Sequence, residues 1–485
     1  MKLVGRAALV LLGGLVVLIA VVAVRTATYS PPAAQASQTK LAAPVTIDTA
    51  AAARRLSQAI GFQTVSHQDQ AEDTPAEWDR LHAWLQASYP AAHAVMRREV
   101  LAGHTLVYTW QGSDPALKPI VLMAHQDVVP VTPGTEKDWK HPPFAGVIAD
   151  GAVWGRGAID DKGSLVTLFE GAEALAKAGF KPRRTVILVS GHDEEVRGLG
   201  AQAAAAHLKA QGIQAEFVLD EGLAIVQDHP LTDGPVAMIG LGEKGYATMT
   251  VTATAPGGHS STPPKDTGTV TLSRALVAIA EHPFPMKLDG AALAMLQSLA
   301  PESGLPLRMA VANTWLFEPL IVSQIAATQD GADLLHTTIA PTMLRGSPKE
   351  NVLPQDATAW INYRIAPGQT STEVMAHTKA AVGDLPVTLA WVKTPAEPSP
   401  LSSTTSRGYG VLSALVGDMA KGPVAPGLVT AGTDSRYLAP VADDIYRFQP
   451  MRFTLAETAM IHGTNERLTL DNLELAVQFY ARLIA

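Results

Sequence analysis

Pro119-Ile-Val-Leu-Met-Ala124 feeds directly into His125-Gln-Asp127, and the fold is decided by how that junction is read. The run is short, apolar and bounded by Pro119 and a polar cluster, which predicts a buried strand. The arrangement recurs twice. Thr185–Ser190 leads into Gly191-His-Asp-Glu194-Glu195, and Glu216–Leu219 leads into Asp220-Glu221. Between them, Gly155-Arg-Gly-Ala-Ile-Asp160-Asp161-Lys-Gly163 opens the segment Lys162–Ala178. There Leu165, Leu168, Phe169, Ala172, Leu175 and Ala176 share one helical face. Strands alternating with helices predict an α/β fold, a mixed and mostly parallel sheet with flanking helices. Polar clusters at the strands' carboxyl ends should then meet at one sheet edge, where open α/β sheets bind ligands.

Working outward, Ala50–Gly61 and Pro75–Ser88 read as helices upstream of this core. Near Gly245 the pattern changes. Tyr246-Ala-Thr-Met-Thr-Val-Thr-Ala-Thr254 alternates with period two, as a half-exposed strand does. Val270–Ala280 follows as a helix, Leu334–Ala340 and Ala359–Ile365 as strands, Thr372–Val382 as a helix and Val387–Val392 as a strand. Strand–helix–strand twice over is the outline of an inserted, ferredoxin-like α+β lid. Prolines and helical signals from 282 to about 330 mark an insertion within it. The expected organisation is an N-terminal anchor and linker (1–44), a first part of the catalytic domain (45–244), the lid (245–395) and a second part of the catalytic domain (396–485), which closes with a helix over Asp471–Ile484. The edge of the lid at Tyr246–Thr254 is a candidate for pairing in a homodimer.

Composition limits the possibilities. The chain has 485 residues, 47% hydrophobic and 17% charged, so a large core is available and global disorder is excluded. Its 37 basic and 45 acidic side chains leave a net charge of −8, which gives no reason to expect nucleic-acid binding. It has no cysteine, so any metal must be held by His, Asp and Glu. Ala7–Val24 is an apolar run of 18 residues behind Lys2 and Arg6. That length suits an uncleaved membrane anchor with the bulk of the chain outside the cytoplasm, periplasmic or extracellular. A secreted form, cleaved near Ala34-Gln-Ala36, is the other reading. Ser30–Pro44 is expected to be a linker.

The clusters themselves carry chemistry. In an extended segment His125 and Asp127 share a face, so the carboxylate can hold the imidazole's second nitrogen. A buried polar pair at a strand end would look the same. Asp160-Asp161 before a helix fits a cation-bridging carboxylate, although taken alone the motif reads first as an N-cap. Glu194-Glu195 repel unless a cation or proton separates them. One can hold metal while its neighbour takes a proton from water, and a solvated acidic turn is the plainer alternative. Gly240-Leu-Gly-Glu-Lys-Gly245 has dinucleotide-loop spacing but precedes a β-alternating segment, which excludes that motif.

Taken together, the motifs resemble the two-zinc metallopeptidases that include carboxypeptidase S, aminoacylase and succinyl-diaminopimelate desuccinylase. The carboxypeptidase S and N-acyl-amino-acid hydrolase branch is the nearest. The resemblance is carried by Met123-Ala-His-Gln-Asp-Val-Val-Pro130, Trp139-Lys-His-Pro-Pro-Phe144, Val153-Trp-Gly-Arg-Gly-Ala-Ile-Asp-Asp-Lys-Gly163 and Gly191-His-Asp-Glu-Glu195. It continues through Val218-Leu-Asp-Glu-Gly222, Gly257-Gly-His-Ser-Ser261, Gly432-Thr-Asp-Ser-Arg436 and Ile461-His-Gly-Thr-Asn-Glu466. It implies two Zn2+ ions held by His125, Asp160, Glu195, Asp220 and His462, with Glu221 an alternative to Asp220. It also implies a cis Asp160–Asp161 peptide bond. Asp127 would orient His125, Glu194 would act as general base, and His259 would steady an oxyanion. Arg364, Asn351 and Gly432 would contact substrate. The implied activity is hydrolysis of an amide next to a free-carboxylate amino acid, in a small peptide or an N-acyl amino acid. N-fatty-acyl amino acid synthesis or hydrolysis is the alternative within enzymes, and a membrane-tethered binding protein on the same fold is the alternative outside them.

Overall fold

The computed structural model describes residues 2–32 and 41–485. Most of the expected linker, with the Ala34-Gln-Ala36 pattern, lies outside the described residues.

An eight-stranded sheet forms the centre. Its order is Arg97–Leu101, Thr105–Trp110, Val186–Ser190, Ile120–Met123, Ala215–Val226, Ala442–Phe453, Val236–Glu243 and Val424–Val429. The four middle strands, Val186–Ser190 to Ala442–Phe453, run parallel, as does the last pair. Antiparallel pairing joins the first three strands and links Val236–Glu243 to Ala442–Phe453 and to the end of Ala215–Val226. The run Ile120–Met123 is fully buried because helices cover both faces. On one face Lys162–Lys177 and Leu470–Ile484 bury Leu165, Leu168, Phe169, Phe479 and Tyr480. On the other, Leu199–Ala210 packs Ala201, Ala204 and Leu208 against Val121, Ile187 and Val218.

A second, antiparallel sheet has the order Thr338–Arg345, Asp356–Ile365, Gly245–Thr254 and Val387–Trp391. Helices Gly268–Ala280 and Ser371–Val382 follow its first and third strands in the chain and share one apolar core with it. Gly245–Thr254 shows the predicted alternation, with Ala247, Met249, Val251 and Ala253 buried.

Three expectations are corrected. Gly245–Thr254 is bonded on both sides, so it has no free edge to offer a second copy. The strand placed at Leu334–Ala340 begins only at Thr338; Leu334 and Leu335 end the helix Gln329–Leu335, where Leu335 is buried. Its apolar run is helical because it joins the insertion's core and not the sheet's. The insertion itself, helices Gly290–Leu299, Leu305–Ala312, Thr314–Ile325 and Gln329–Leu335, packs on the central sheet. Met295, Leu296, Leu299, Val311 and Ile321 cluster with Val236, Met238 and Ala425 at that sheet's far edge.

The N-terminal helix Lys2–Ala27 carries one span, Leu9–Ala27, long and apolar enough to cross a membrane. Its last turns dock on the insertion. Arg25 Nε donates to the Ala312 carbonyl (3.0 Å), and Asn313 Nδ2 donates to the Val22 carbonyl (3.4 Å) and Thr26 Oγ1 (3.3 Å).

Candidate active site

The strands bring the polar clusters to one place. His125 follows Ile120–Met123, and its Nε2 lies 2.9 Å from Asp160 Oδ1 and 3.5 Å from Glu221 Oε1. His462, on the loop before the last helix, sets Nε2 3.0 Å from Asp160 Oδ2 and 3.1 Å from Glu195 Oε2. Asp160 therefore presents one oxygen to each imidazole. Two overlapping groups, His125 with Asp160 and Glu195 and His125 with Glu194 and Glu221, each bring their ligand atoms within 4.8 Å of one another. The Asp160–Asp161 peptide bond is cis.

Asp127 is the brace. Its carboxylate accepts from the backbone N–H of Glu194 and of Glu195 (both 3.1 Å) and from Ser66 Oγ (2.6 Å). One of its oxygens lies 3.3 Å from His125 Nδ1. One buried side chain thus fixes the imidazole and the loop that carries both glutamates.

Glu466, to which the sequence reading gave no role, braces Asp160 in the same way. It accepts from Arg156 Nη1 (2.7 Å) and from the N–H groups of Gly157 (3.0 Å), Ile159 (2.8 Å) and Asp160 (3.1 Å). Its place in the motif Gly463-Thr-Asn-Glu466, just after His462, was the available signal. Glu466→Ala should leave Arg156 buried and unpaired and lower unfolding stability by about 3–5 kcal/mol. Urea denaturation of the purified variant measures this, and a loss below about 1 kcal/mol would contradict the bracing role.

Of the two alternatives Asp220 and Glu221, only Glu221 is turned toward the cluster. The Asp220 carboxylate turns away and accepts from the N–H of Ser435 (2.9 Å) and of Glu221 (3.0 Å). Glu221 takes the place beside His125. The cause is a bulge: Asp220 pairs with Arg447 and Leu223 with Phe448, so Glu221 and Gly222 are extra residues on their strand. A bulge re-aims a side chain, and Gly222, at φ +143° with no room for a Cβ beside Arg447, permits it.

Burial of so much negative charge shifts every group. Burial, and then Asp160, push Glu221 up to about 8; burial and neighbouring carboxylates also raise Glu194, Glu195, Asp161 and Asp434. Burial opposes ionisation of Asp160 as well, but hydrogen bonds from His125 and His462 hold it well below the usual range. Hydrogen bonds to Asp160 and Glu195 push His462 up to about 10. So many buried carboxylates around two imidazoles are stable only beside positive charge. A metal suits the site: all donors are imidazole or carboxylate, and Glu195 Oε1 is buried without a partner.

The other predicted residues lie apart from this cluster. His259 is exposed on a two-stranded ribbon with Val352–Leu353, where the Asn351 carbonyl accepts from Ser260 N–H (3.2 Å). Arg364 sits over the Tyr246 ring, 4.7 Å from its centroid. Burial, with Arg436 nearby, lowers its pKa. A Cβ on Gly432 would lie 2.7 Å from Arg436 Nη1, so glycine there leaves room for that guanidinium. No hydrogen bond or ion pair joins His259, Asn351 or Arg364 to the carboxylates among the described residues. Asp434 was also missed. It is buried with Oδ2 unpartnered, and Gly191 makes room for it, since a Cβ there would meet that oxygen at 2.0 Å.

Known proteins share this architecture and sequence. The chain is 37% identical over 440 residues to the probable carboxypeptidase S-like 2 of Dictyostelium discoideum, covering 89% of this chain and 84% of that protein. It is 36% identical over 485 residues to the N-fatty-acyl-amino acid synthase/hydrolase PM20D1 of Xenopus tropicalis, covering 97% and 93%. Among solved structures, the M20 family metallo-carboxypeptidase Sso-CP2 of Sulfolobus solfataricus superposes with a TM-score of 0.63 at 16% identity, over 90% of this chain and 99% of that one. The model of peptidase family M20/M25/M40 matches residues 121–485, which takes in every residue of the cluster around Asp160, and the chain belongs to that family of metallopeptidases.

Proposed function

We propose that this chain hydrolyses the amide bond next to a free-carboxylate amino acid, with two zinc ions held by His125, Asp160, Glu195, Glu221 and His462. The observation that carries this is Asp160 facing one imidazole with each oxygen, with Glu194 grouped beside His125 and Glu221. When bound, the ions would supply Lewis acidity and acidify a water near neutrality. Glu194 takes the proton from the attacking water and returns it to the departing amine nitrogen. Asp127 keeps His125 and the Glu194–Glu195 loop in register. His259 is assigned to the developing oxyanion. Arg364 is assigned to the substrate carboxylate through a bidentate pair, with Asn351 and Gly432 near the same substrate. In this reading residues 45–244 and 396–485 form the catalytic domain and 245–395 its lid, from which the helices of 290–335 reach back onto the catalytic sheet. Lys2–Ala27 anchors the chain in a membrane, with the catalytic domain outside the cytoplasm.

Two relatives suggest two substrate classes: one is named carboxypeptidase S-like and the other N-fatty-acyl-amino acid synthase/hydrolase. A panel of dipeptides, short-chain and fatty N-acyl amino acids, assayed with added zinc and then with EDTA, discriminates them. Release of free amino acid that EDTA abolishes is expected, and release indifferent to EDTA would refute the metal mechanism. On whichever substrate is cleaved, Arg364→Ala should raise KM about 10–100-fold with little change in kcat, the worth of a charge-assisted hydrogen-bonded pair. Initial rates across substrate concentration measure it, and an unchanged KM would remove Arg364 from the carboxylate.

A further inference from the structure

The insertion helix Thr314–Ile325 has apolar residues on all sides but is only half covered. Its inner face buries Ile321 against the insertion's core. On the opposite face Trp315, Leu316, Pro319, Leu320 and Ser323 fall within one arc at 100° per residue. All five are exposed: Trp315 is 56% accessible, Leu316 38% and Leu320 54%. The helix's one charge, Glu318, lies off that arc. A helix apolar all round needs an apolar neighbour on each side.

Position in the fold says which neighbour. The residue just before this helix, Asn313, is buried and donates to Val22 and Thr26, and Arg25 holds the Ala312 carbonyl. Val22, Arg25 and Thr26 lie in the last turns of the apolar span Leu9–Ala27. The insertion helix therefore starts at the level where that span leaves the hydrocarbon, and its first exposed side chain is a tryptophan, a residue suited to the membrane–water boundary.

We propose that Thr314–Ile325 lies in the outer interface of the same bilayer that Lys2–Ala27 crosses, with Trp315, Leu316, Pro319 and Leu320 among the lipid headgroups and upper acyl chains. This rests on the anchor reading of Lys2–Ala27. It makes the anchor part of a two-point attachment: a span and an interfacial helix locked together by Asn313 and Arg25 and continuous with the edge of the central sheet. The bulk of the enzyme would then face the membrane in one fixed orientation and would not swing on a tether.

The absence of cysteine makes the test clean. Full-length chains bearing Leu316→Cys, Leu320→Cys or, as control, Lys209→Cys are labelled with an environment-sensitive dye and reconstituted in phosphatidylcholine vesicles. Lys209 is exposed on Leu199–Ala210, which packs at the opposite end of the sheet. Dyes at 316 and 320 should be blue-shifted and strongly quenched by lipids spin-labelled near the headgroup, since an interfacial helix sits roughly 5–10 Å deep. The control should be neither. Without any label, Trp315→Phe should remove a component of tryptophan emission that brominated lipid quenches. Chains that float with vesicles but carry unquenched dyes at 316 and 320 would overturn this proposal and leave the anchor standing. So would a blue shift that depends on protein concentration and ignores the lipid quencher, which points to a second copy. Chains that do not float at all would overturn the anchor and this proposal together.

Discussion

Glu194→Gln should lower kcat by about 10³–10⁴-fold, the upper part of the range for a positioned acid–base group, while metal content and unfolding midpoint stay at wild-type values. The substitution keeps the side chain's shape and removes only its ability to hold a proton. Glu194 is held through its backbone N–H on Asp127, a contact the variant retains, so its loop should not move. Burial raises the Glu194 pKa, and Glu221, Asp434 and Glu195 add to that rise. Cations beside it would draw the value back toward the working range of a general base. Steady-state rates on the best substrate of the panel, with metal analysis by atomic emission, are the measurement. A variant with full metal and undiminished kcat would remove Glu194 from proton transfer, while one that lost metal would make it a ligand.

The elements that sequence made legible are those whose side chains obey one local period. Ile120–Met123 and Val186–Ser190 are short apolar runs ending in polar clusters, and each is a buried strand of the parallel sheet. Gly245–Thr254 alternates strictly and is half exposed. His125, Asp160, Glu195 and His462 were legible as a set through the family resemblance, since His125, Asp160 and Glu195 each had a plainer reading alone, and the structure brings the four together. Three things escaped for physical reasons. Leu334-Leu335 reads as strand by composition, yet burial in the insertion's core makes it the end of a helix. The interior place of Gly245–Thr254 depends on pairing with strands 100 or more residues away, which no local pattern records. Glu466 braces Asp160 through backbone N–H groups, and Asp434 fills the space that Gly191 leaves, so the partners of both are invisible until the chain is folded.

Glu221→Ala should take the chain from two bound ions to one and lower kcat/KM well beyond the roughly 10–100-fold typical of losing an outer-sphere partner. Asp220→Asn should keep both ions and stay within that range. Adjacent residues of a regular strand point to opposite faces, so of Asp220 and Glu221 only one can face His125. Were the strand regular, pairing with Ala442–Phe453 alone would set which one. The two extra residues opposite Arg447–Phe448 break that register and swing Glu221 to within 3.5 Å of His125. Asp220 is left to hold Ser435, and with it the Gly432–Arg436 loop. Asparagine can keep its oxygen on the Ser435 N–H but sets Nδ2 against the Glu221 N–H, which loses its acceptor, so its effect should appear in loop order before metal content. Titration of each purified variant with zinc, read by calorimetry alongside activity, separates the two roles. An Asp220→Asn chain holding one ion beside a Glu221→Ala chain holding two would return the ligand place to Asp220 and remove Glu221 from the metal site.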